Sequence, residues 1–309
     1  MILTLTINPT IDNVISVDRL AFEDRAYINS TRETAGGRGI NASYVIHSFG
    51  GKTRALLTSG GDSGKRLEAH LQRGGFSFSA IPIENQTRTN LTITDRHGLT
   101  VNLNEAGPEL SKAEVARVEK TVKEALTGVS WLMVCGSIPP GVPADLYARL
   151  IAAARKKKVK TLVHADPDSL RHGLEERPTV VTPNAHEAER LLGRSILTRT
   201  HYLEAAASVR SMGADAVILS LGSRGAVGAF AAGVMEAIPP RVDSVCPIGA
   251  GDALSAAYTW AIERKSSPPE AMRWGVAAGT ASACLPGMRF ASLEQTQEML
   301  KQTELRRAE

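Results

Sequence analysis

Short apolar runs recur along most of this chain, and between them lie segments whose apolar residues return every three or four positions. From about residue 111 the alternation is regular. A helix is predicted over 111–126, followed by the apolar run Trp131-Leu132-Met133-Val134-Cys135. A second helix over 143–157 leads into Thr161-Leu162-Val163. Thr179-Val180-Val181 comes next, then helices from Asn184 and from Leu203, and the run Ala216-Val217-Ile218-Leu219. After Gly249 the pattern is mostly helical. Apolar runs too short for helices, set between amphipathic helices, predict parallel strands covered on both faces. Right-handed crossovers then give an α/β fold, a three-layer α/β/α sandwich with a mostly parallel sheet.

The first hundred residues behave differently. Asn13-Val14-Ile15-Ser16-Val17 alternates, as do Asn90-Leu91-Thr92-Ile93-Thr94 and, after a turn at His97-Gly98, Thr100-Val101-Asn102-Leu103. Period-two alternation predicts half-buried antiparallel strands. Two such segments, about 12–34 and 88–105, flank a helix-and-strand stretch. They predict a small β-sheet made of insertions, a lid over the larger core. No repeat and no linker divides the chain, so residues 1–309 form a single domain in this reading.

Composition narrows the function classes. Hydrophobic residues make up 43% and charged residues 22%, a globular balance that excludes a disordered scaffold. Net charge is only +4, from 36 Lys+Arg against 32 Asp+Glu, and aromatics are 5%, so no nucleic-acid partner is expected. The densest basic run, Arg155-Lys156-Lys157-Lys158, reads as the solvated C-terminal end of a helix. Residues 125–144 carry no charge, but their glycines and prolines make them a strand and a loop, so no membrane partner is expected either. Cys135, Cys246 and Cys284 form no CxxC pair and fit a reducing, cytoplasmic setting. Met1-Ile2-Leu3-Thr4 lacks the basic start of a secretory signal.

The strongest local signal is Gly249-Ala250-Gly251-Asp252, which opens the apolar helix predicted from Ala253. Glycines at a helix start leave backbone N–H groups open to an anion such as a transferring phosphoryl group. Asp252 in that position suits a general base taking a proton from an attacking hydroxyl, although an early-turn aspartate is also favoured by the helix dipole alone. Ala35-Gly36-Gly37-Arg38-Gly39-Ile40-Asn41 lets backbone approach a polar ligand, with Arg38 and Asn41 as donors; a tight turn is the plainer reading. Asn184 and Glu187 share a helix face and could order a hydrated Mg²⁺, or simply form a capping box. Ser220-Leu221-Gly222-Ser223-Arg224-Gly225 and Gly136-Ser137-Ile138-Pro139-Pro140-Gly141 are strand-end loops able to meet a ligand or merely to turn. Gly60-Gly61-Asp62-Ser63-Gly64-Lys65-Arg66 fails as a P-loop, being one residue short and lacking the Ser/Thr.

Together and in this order, these loops resemble the PfkB (ribokinase-like) carbohydrate kinase family over nearly the whole chain. Thr6-Ile7-Asn8-Pro9-Thr10-Ile11-Asp12 and Gly36-Gly37-Arg38-Gly39-Ile40-Asn41 resemble its hexose-phosphate branch. The tail from Arg273-Trp274-Gly275 to Gly287-Met288-Arg289 looks like the minor 6-phosphofructokinases. The resemblance implies that Asp252 is the base and that Gly249, Ala250 and Gly251 form the anion hole. It implies sugar contacts from Asp12, Gly37, Asn41 and Ser137, and cations for the substrate's existing phosphate at Arg25 and Arg88. Asn184 and Glu187 match a motif that organises Mg²⁺, and Ser220, Gly222 and Gly225 match nucleotide contacts. Three departures stand out: Thr182 where the family usually has a phosphate-reaching lysine, Cys246-Pro247-Ile248 before Gly249, and His164-Ala165-Asp166-Pro167 at the end of a strand.

The implied activity is ATP- and Mg²⁺-dependent phosphorylation of a ketohexose phosphate, leaning to fructose 1-phosphate giving fructose 1,6-bisphosphate. Fructose 6-phosphate and tagatose 6-phosphate are the alternatives. A kinase of an unphosphorylated sugar or nucleoside, and a sugar-phosphate sensor without catalysis, are the rival readings. The resemblance and the exposed edges of a lid sheet point to a homodimer through the lid.

Overall fold

The structure, a computed structural model, describes residues 1–20 and 24–308. The chain opens with β1 (Ile2–Thr6) and two lid strands, β2 (Thr10–Val17) and β3 (Ile28–Gly36). It returns to the core through α1 (Arg38–Ser48), β4 (Thr53–Ser59), α2 (Gly61–Gly74) and β5 (Ser77–Pro82), and then makes the second lid pair, β6 (Arg88–Asp95) and β7 (Thr100–Asn104). The alternation continues as α3 (Lys112–Ala125), β8 (Trp131–Gly136), α4 (Leu146–Lys156), β9 (Lys160–Ala165), α5 (Pro167–Glu175), β10 (Val180–Val181), α6 (Ala185–Leu192), α7 (Arg199–Ser211) and β11 (Ala216–Ser220). A hairpin of β12 (Ala226–Phe230) and β13 (Gly233–Ile238) precedes α8 (Ala250–Glu263), α9 (Pro268–Ala283), α10 (Leu293–Gln302) and β14 (Glu304–Arg307).

The large sheet runs β14-β13-β12-β11-β10-β9-β8-β1-β4-β5, parallel from β5 to β11 and antiparallel beyond. Both faces are covered, as the apolar runs require. On β8, Leu132 and Val134 point into one apolar cluster with Val118 of α3 and Leu150 of α4, while Trp131, Met133 and Cys135 point into the other with Ile46 of α1 and Tyr258 of α8. Each side chain buried this way contributes about 1.5–3 kcal/mol before entropy is charged against it. The uncharged stretch 125–144 is accordingly the end of α3, then β8 and a loop, and no helix among the described residues is long and apolar enough to cross a membrane.

Three expectations needed adjustment, and one strand was not foreseen. The lid is not wholly antiparallel: β2 pairs with β3, and β6 with β7, in antiparallel fashion, but β2 and β6 run parallel. They leave the core after β1 and β5, which point the same way, so the two insertions start in the same direction. Helix α4 begins at Leu146, after a turn through Pro143. Helix α7 begins at Arg199, because the Thr198 side chain accepts the His201 N–H and caps it earlier than Leu203. The charged edge strand β14 was hidden, being too short to display a period.

Two glycines seat the helix that matters most. A Cβ on Gly275 would come 2.8 Å from the Leu254 carbonyl, and one on Gly279 would come 2.8 Å from the Ala250 carbonyl. Only without those carbons does α9 lie against the first turns of α8 and hold its N-terminus in place.

Candidate active site

The C-terminal ends of the parallel strands are where a ligand crevice is expected in an open α/β sheet. A cleft of about 960 Å³ lies there, between those ends and the lid. Every site residue expected from the sequence lines it except Arg25, which is exposed outside the cleft.

Helix α8 begins over this cleft. Gly249 caps it in the left-handed region (φ 83°), where a Cβ would also stand 3.0 Å from the Phe290 ring. The Ala250 N–H bonds the Pro247 carbonyl at 3.2 Å, so of the expected anion hole the first-turn amides of Gly251 and Asp252 remain. Asp252 is buried with both oxygens held: Asn41 Nδ2 donates to Oδ2 at 2.7 Å, and His164 Nε2 lies 3.3 Å from Oδ1. A carboxylate fixed from two sides at a helix N-terminus is preorganised for one task.

Across the cleft, Asp12 on β2 and Asn90 on β6 are register partners, and Asn90 Nδ2 donates to Asp12 Oδ1 at 3.0 Å. A Cβ on Gly36 would run into the Asp12 carboxylate, which explains the first glycine of that cluster. Burial pushes the Asp12 carboxyl above its ordinary value, against the opposing pull of the Asn90 hydrogen bond and of Arg88. Arg88 spends two of its five N–H donors on the Asn8 and Glu105 carbonyls; its Nε is buried without a partner. Asn8 Nδ2 donates to Ser137 Oγ at 3.1 Å. Thr6 Oγ1, Asn8 Oδ1 and Asn90 Oδ1 are likewise buried and unpaired, and all line the cleft. Unsatisfied polar atoms on this scale are rare in a folded core, and four of them lining one cleft suit a hydroxyl-rich ligand.

Arg38 lines the cleft and is also tied to two carboxylates. Its guanidinium bridges Asp166 Oδ1 and Glu187 Oε1, each at 3.2 Å, on the floor of the cleft. Burial alone would make it a weaker base, but those two carboxylates outweigh burial and raise it. Glu187 also completes a capping box with Asn184: its Oε2 accepts the Asn184 N–H at 2.9 Å, and Asn184 Oδ1 accepts the Glu187 N–H at 2.9 Å. The plain reading of that motif is therefore correct, without removing Glu187 from the cleft. On the far side, the turn Gly222–Arg224 and Gly225 form a loop, and a Cβ on Gly225 would strike the Ala237 carbonyl. With Pro247 and Ile248, it makes a slot of glycine backbone and apolar side chains.

Sequence reasoning passed over Asn90, Asn8 and His164 as site residues. Asn8 stood inside the quoted opening motif and His164 inside a noted departure; Asn90 gave no signal beyond starting a lid strand. No group of three His, Cys, Asp or Glu among the described residues could hold a metal by itself. A hydrated Mg²⁺ keeps most of its waters and takes phosphate oxygens from a nucleotide, a demand that one carboxylate can meet. Glu187, already bonded through both oxygens, would meet it through water.

The pfkB carbohydrate kinases match residues 5–296. The chain belongs to that family. It is 32% identical over 290 residues to the ATP-dependent 6-phosphofructokinase isozyme 2 of Mycobacterium tuberculosis (strain H37Rv), covering 93% of this chain and 85% of that one. It is 30% identical to the 1-phosphofructokinase of Borreliella burgdorferi, covering 92% of each. The crystal structure of Escherichia coli phosphofructokinase-2 with substrates and products superposes on this pfkB chain with a TM-score of 0.91, at 30% identity over 97% of this chain and 98% of that one. The three-layer sandwich and its lid are thus those of a ribokinase-like pfkB kinase.

Proposed function

We propose that this chain transfers the γ-phosphoryl group of ATP to a ketohexose monophosphate, making fructose 1,6-bisphosphate from fructose 1-phosphate or fructose 6-phosphate. The observation that carries this reading is the pairing of two walls in one cleft: a doubly held Asp252 at a helix N-terminus faces a lid-side wall of unsatisfied hydroxyl-binding groups that includes an arginine.

Asp12, Asn90 and Ser137, with Asn41 and the Gly37 backbone, orient the sugar. Arg88 directs its remaining donors to the phosphate the substrate already carries, a match of planar fork to oxyanion. Asp252 accepts the proton of the attacking hydroxyl; the sugar O–H bond breaks, the new O–P bond forms, and the bond from the γ-phosphorus to the ADP oxygen breaks. The amides of Gly251 and Asp252 face the charge that spreads over the phosphoryl oxygens. Ser220, Gly222 and Gly225 hold the nucleotide, and Glu187 would hold through water a Mg²⁺ that would neutralise charge on its phosphates.

The sugar-phosphate reading is favoured over a neutral-sugar kinase by Arg88, whose buried Nε has no protein partner. A second copy docked on the lid belongs to the same proposal, supported by the exposure of Tyr27, Ile28, Leu99 and Leu103 there. The test is ADP release with fructose 1-phosphate, fructose 6-phosphate, tagatose 6-phosphate, fructose and ribose. Turnover confined to the phosphorylated ketohexoses is expected; turnover of fructose or ribose alone, or of nothing, overturns the reading.

A further inference from the structure

Helix α2 opens with Gly60-Gly61-Asp62-Ser63-Gly64-Lys65-Arg66, a glycine-rich run none of whose residues lines the cleft. Its first turn closes on backbone instead, just ahead of the strand that carries Arg88. Ser63 Oγ donates to the Thr87 carbonyl at 2.5 Å, the Thr87 N–H donates to the Gly60 carbonyl at 2.9 Å, and the Gly60 N–H donates to Thr87 Oγ1 at 3.2 Å. A Cβ on Gly60 would strike the Asn85 carbonyl, and one on Gly64 would stand 2.5 Å from Ser59 Oγ and 3.2 Å from Thr87 Oγ1, so glycine is what lets the helix come this close. Thr87 is the last residue before Arg88 and β6.

Further along, the same helix holds the opposite edge of the lid. Residues of β3 alternate between two faces. Thr34 is in register with Asp12 and shares its side of the sheet, the cleft side, whereas Ala35 and Glu33 turn to α2 together with Ile11 of β2. Ile11 and Ala35 pack with Leu67 and Leu71, and Glu33 is held through both oxygens: His70 Nε2 lies 3.0 Å from Oε1, and Arg66 Nε 3.5 Å from Oε2. An ionised carboxylate only accepts, so His70 Nε2 donates; Arg73 Nη2, which only donates, lies 3.0 Å from Nδ1, and one tautomer satisfies both neighbours. The lid order is β3-β2-β6-β7, so α2 grips both neighbours of β2, the strand that carries Asp12.

Resting on the kinase reading above, we propose that α2 is the bearing of the lid and that the Glu33–His70 hydrogen bond is its latch, with Glu33 a positioning residue for the sugar-binding wall. The Ser63–Thr87 grip fixes the root of β6 and with it Arg88. The latch fixes the edge strand β3, so Asp12 is held across the cleft from Asp252 before a sugar arrives. Without the latch, β3 and β2 spend part of their time away from α2, and the apparent affinity for the sugar falls with the fraction of molecules still in position. A bound sugar spans both walls and holds the lid itself, so the bound complex turns over as before.

The test uses the full chain and whichever sugar phosphate the wild type turns over. Glu33→Ala removes both contacts and is expected to raise KM for that sugar about five-fold, while kcat and the KM for ATP stay within about two-fold. Glu33→Gln keeps an acceptor for His70 Nε2 and is expected to return the sugar KM to within about two-fold of wild type. An unchanged sugar KM in Glu33→Ala, a loss carried by kcat or by the KM for ATP, or a Gln variant as impaired as Ala overturns the proposal. Should Glu33→Ala fail to fold, His70→Ala opens the latch from the core side; the same split at about three-fold is expected, and no change in the sugar KM overturns it. A readout independent of turnover separates the latch from the kinase reading. Amide hydrogen exchange over residues 10–17 and 28–36 is expected to quicken about five-fold in Glu33→Ala, with the strands of the large sheet unchanged. Equal exchange of those lid strands in the two proteins overturns the proposal even where no sugar phosphate is a substrate.

Discussion

The two walls of the cleft are built on opposite principles. On the core wall the polar groups satisfy one another: Asp252 is held by Asn41 and His164, Thr182 by His164 and Ser255, and Arg38 by Asp166 and Glu187. On the lid wall they do not: Arg88 and Asn90 of β6, and Asn8 bonded to Arg88, each leave a buried polar atom without a protein partner. A wall that stabilises developing charge gains from being rigid before substrate arrives, since nothing then reorganises during the reaction. A wall that recognises a sugar gains from being incomplete, because an analogue that fails to fill its donors and acceptors leaves them buried and unpaired. In the proposed reaction the difference gives turnover to one wall and selectivity to the other.

The largest expected effect tests the core wall. Asp252→Asn keeps the shape and an acceptor for Asn41 but removes the base, so kcat is expected to fall by about 10²-fold or more with sugar-phosphate binding little changed. Calorimetric titration of the variant with the sugar phosphate, beside its kcat, checks both halves; near-normal turnover would remove Asp252 from the mechanism. A smaller effect, opposite in kind, tests the lid wall. Arg88→Gln is expected to raise KM for the phosphorylated sugar by about 10- to 100-fold while kcat and the KM for ATP hold, the loss of one charge-assisted contact of about 1.5–3 kcal/mol. A fall in kcat at constant KM would show that the walls do not divide the work in this way.

The core wall was far more legible in sequence than the lid wall. Glycines announce it, because Gly249 needs positive φ, and a backbone demand of that kind leaves a fixed local spelling. The parallel core was equally plain, since strands buried on both faces become continuous apolar runs such as 131–135. Asn90 could not be read, because its role depends on β6 lying parallel to β2 across 78 residues, and nothing local encodes that register. The ion pairs of Arg38 could not be read either: its partners, Asp166 and Glu187, are brought to it only by the folded sheet. His164 was visible as an oddity but not as a partner, for its geometry rests on Thr182 and Asp252 at once.

The smallest effect expected of the lid wall is on stability, and it runs against function. Burial raises the Asp12 carboxyl above its ordinary 3.8 in the folded protein. A group whose folded value is raised stabilises the fold only while it is protonated; that contribution is fully present below the unfolded value and is lost as pH rises through the folded one. At neutral pH the Asp12 carboxylate is therefore a burden on the native state, one that the proposed contact with a sugar hydroxyl accounts for. Asp12→Asn removes the charge and leaves an oxygen for Asn90 Nδ2, so its Tm at pH 7 is expected to lie above that of the wild type. The gain should shrink as the pH is lowered and disappear below about 3.8, where Asp12 is protonated in both states. Thermal unfolding of the two proteins across that range measures it, and KM for the sugar phosphate in the same variant should rise. A variant less stable than wild type at pH 7 would mean that Asp12 is a structural group satisfied by its own wall, and the contrast between a finished core wall and an unfinished lid wall would lose its clearest case.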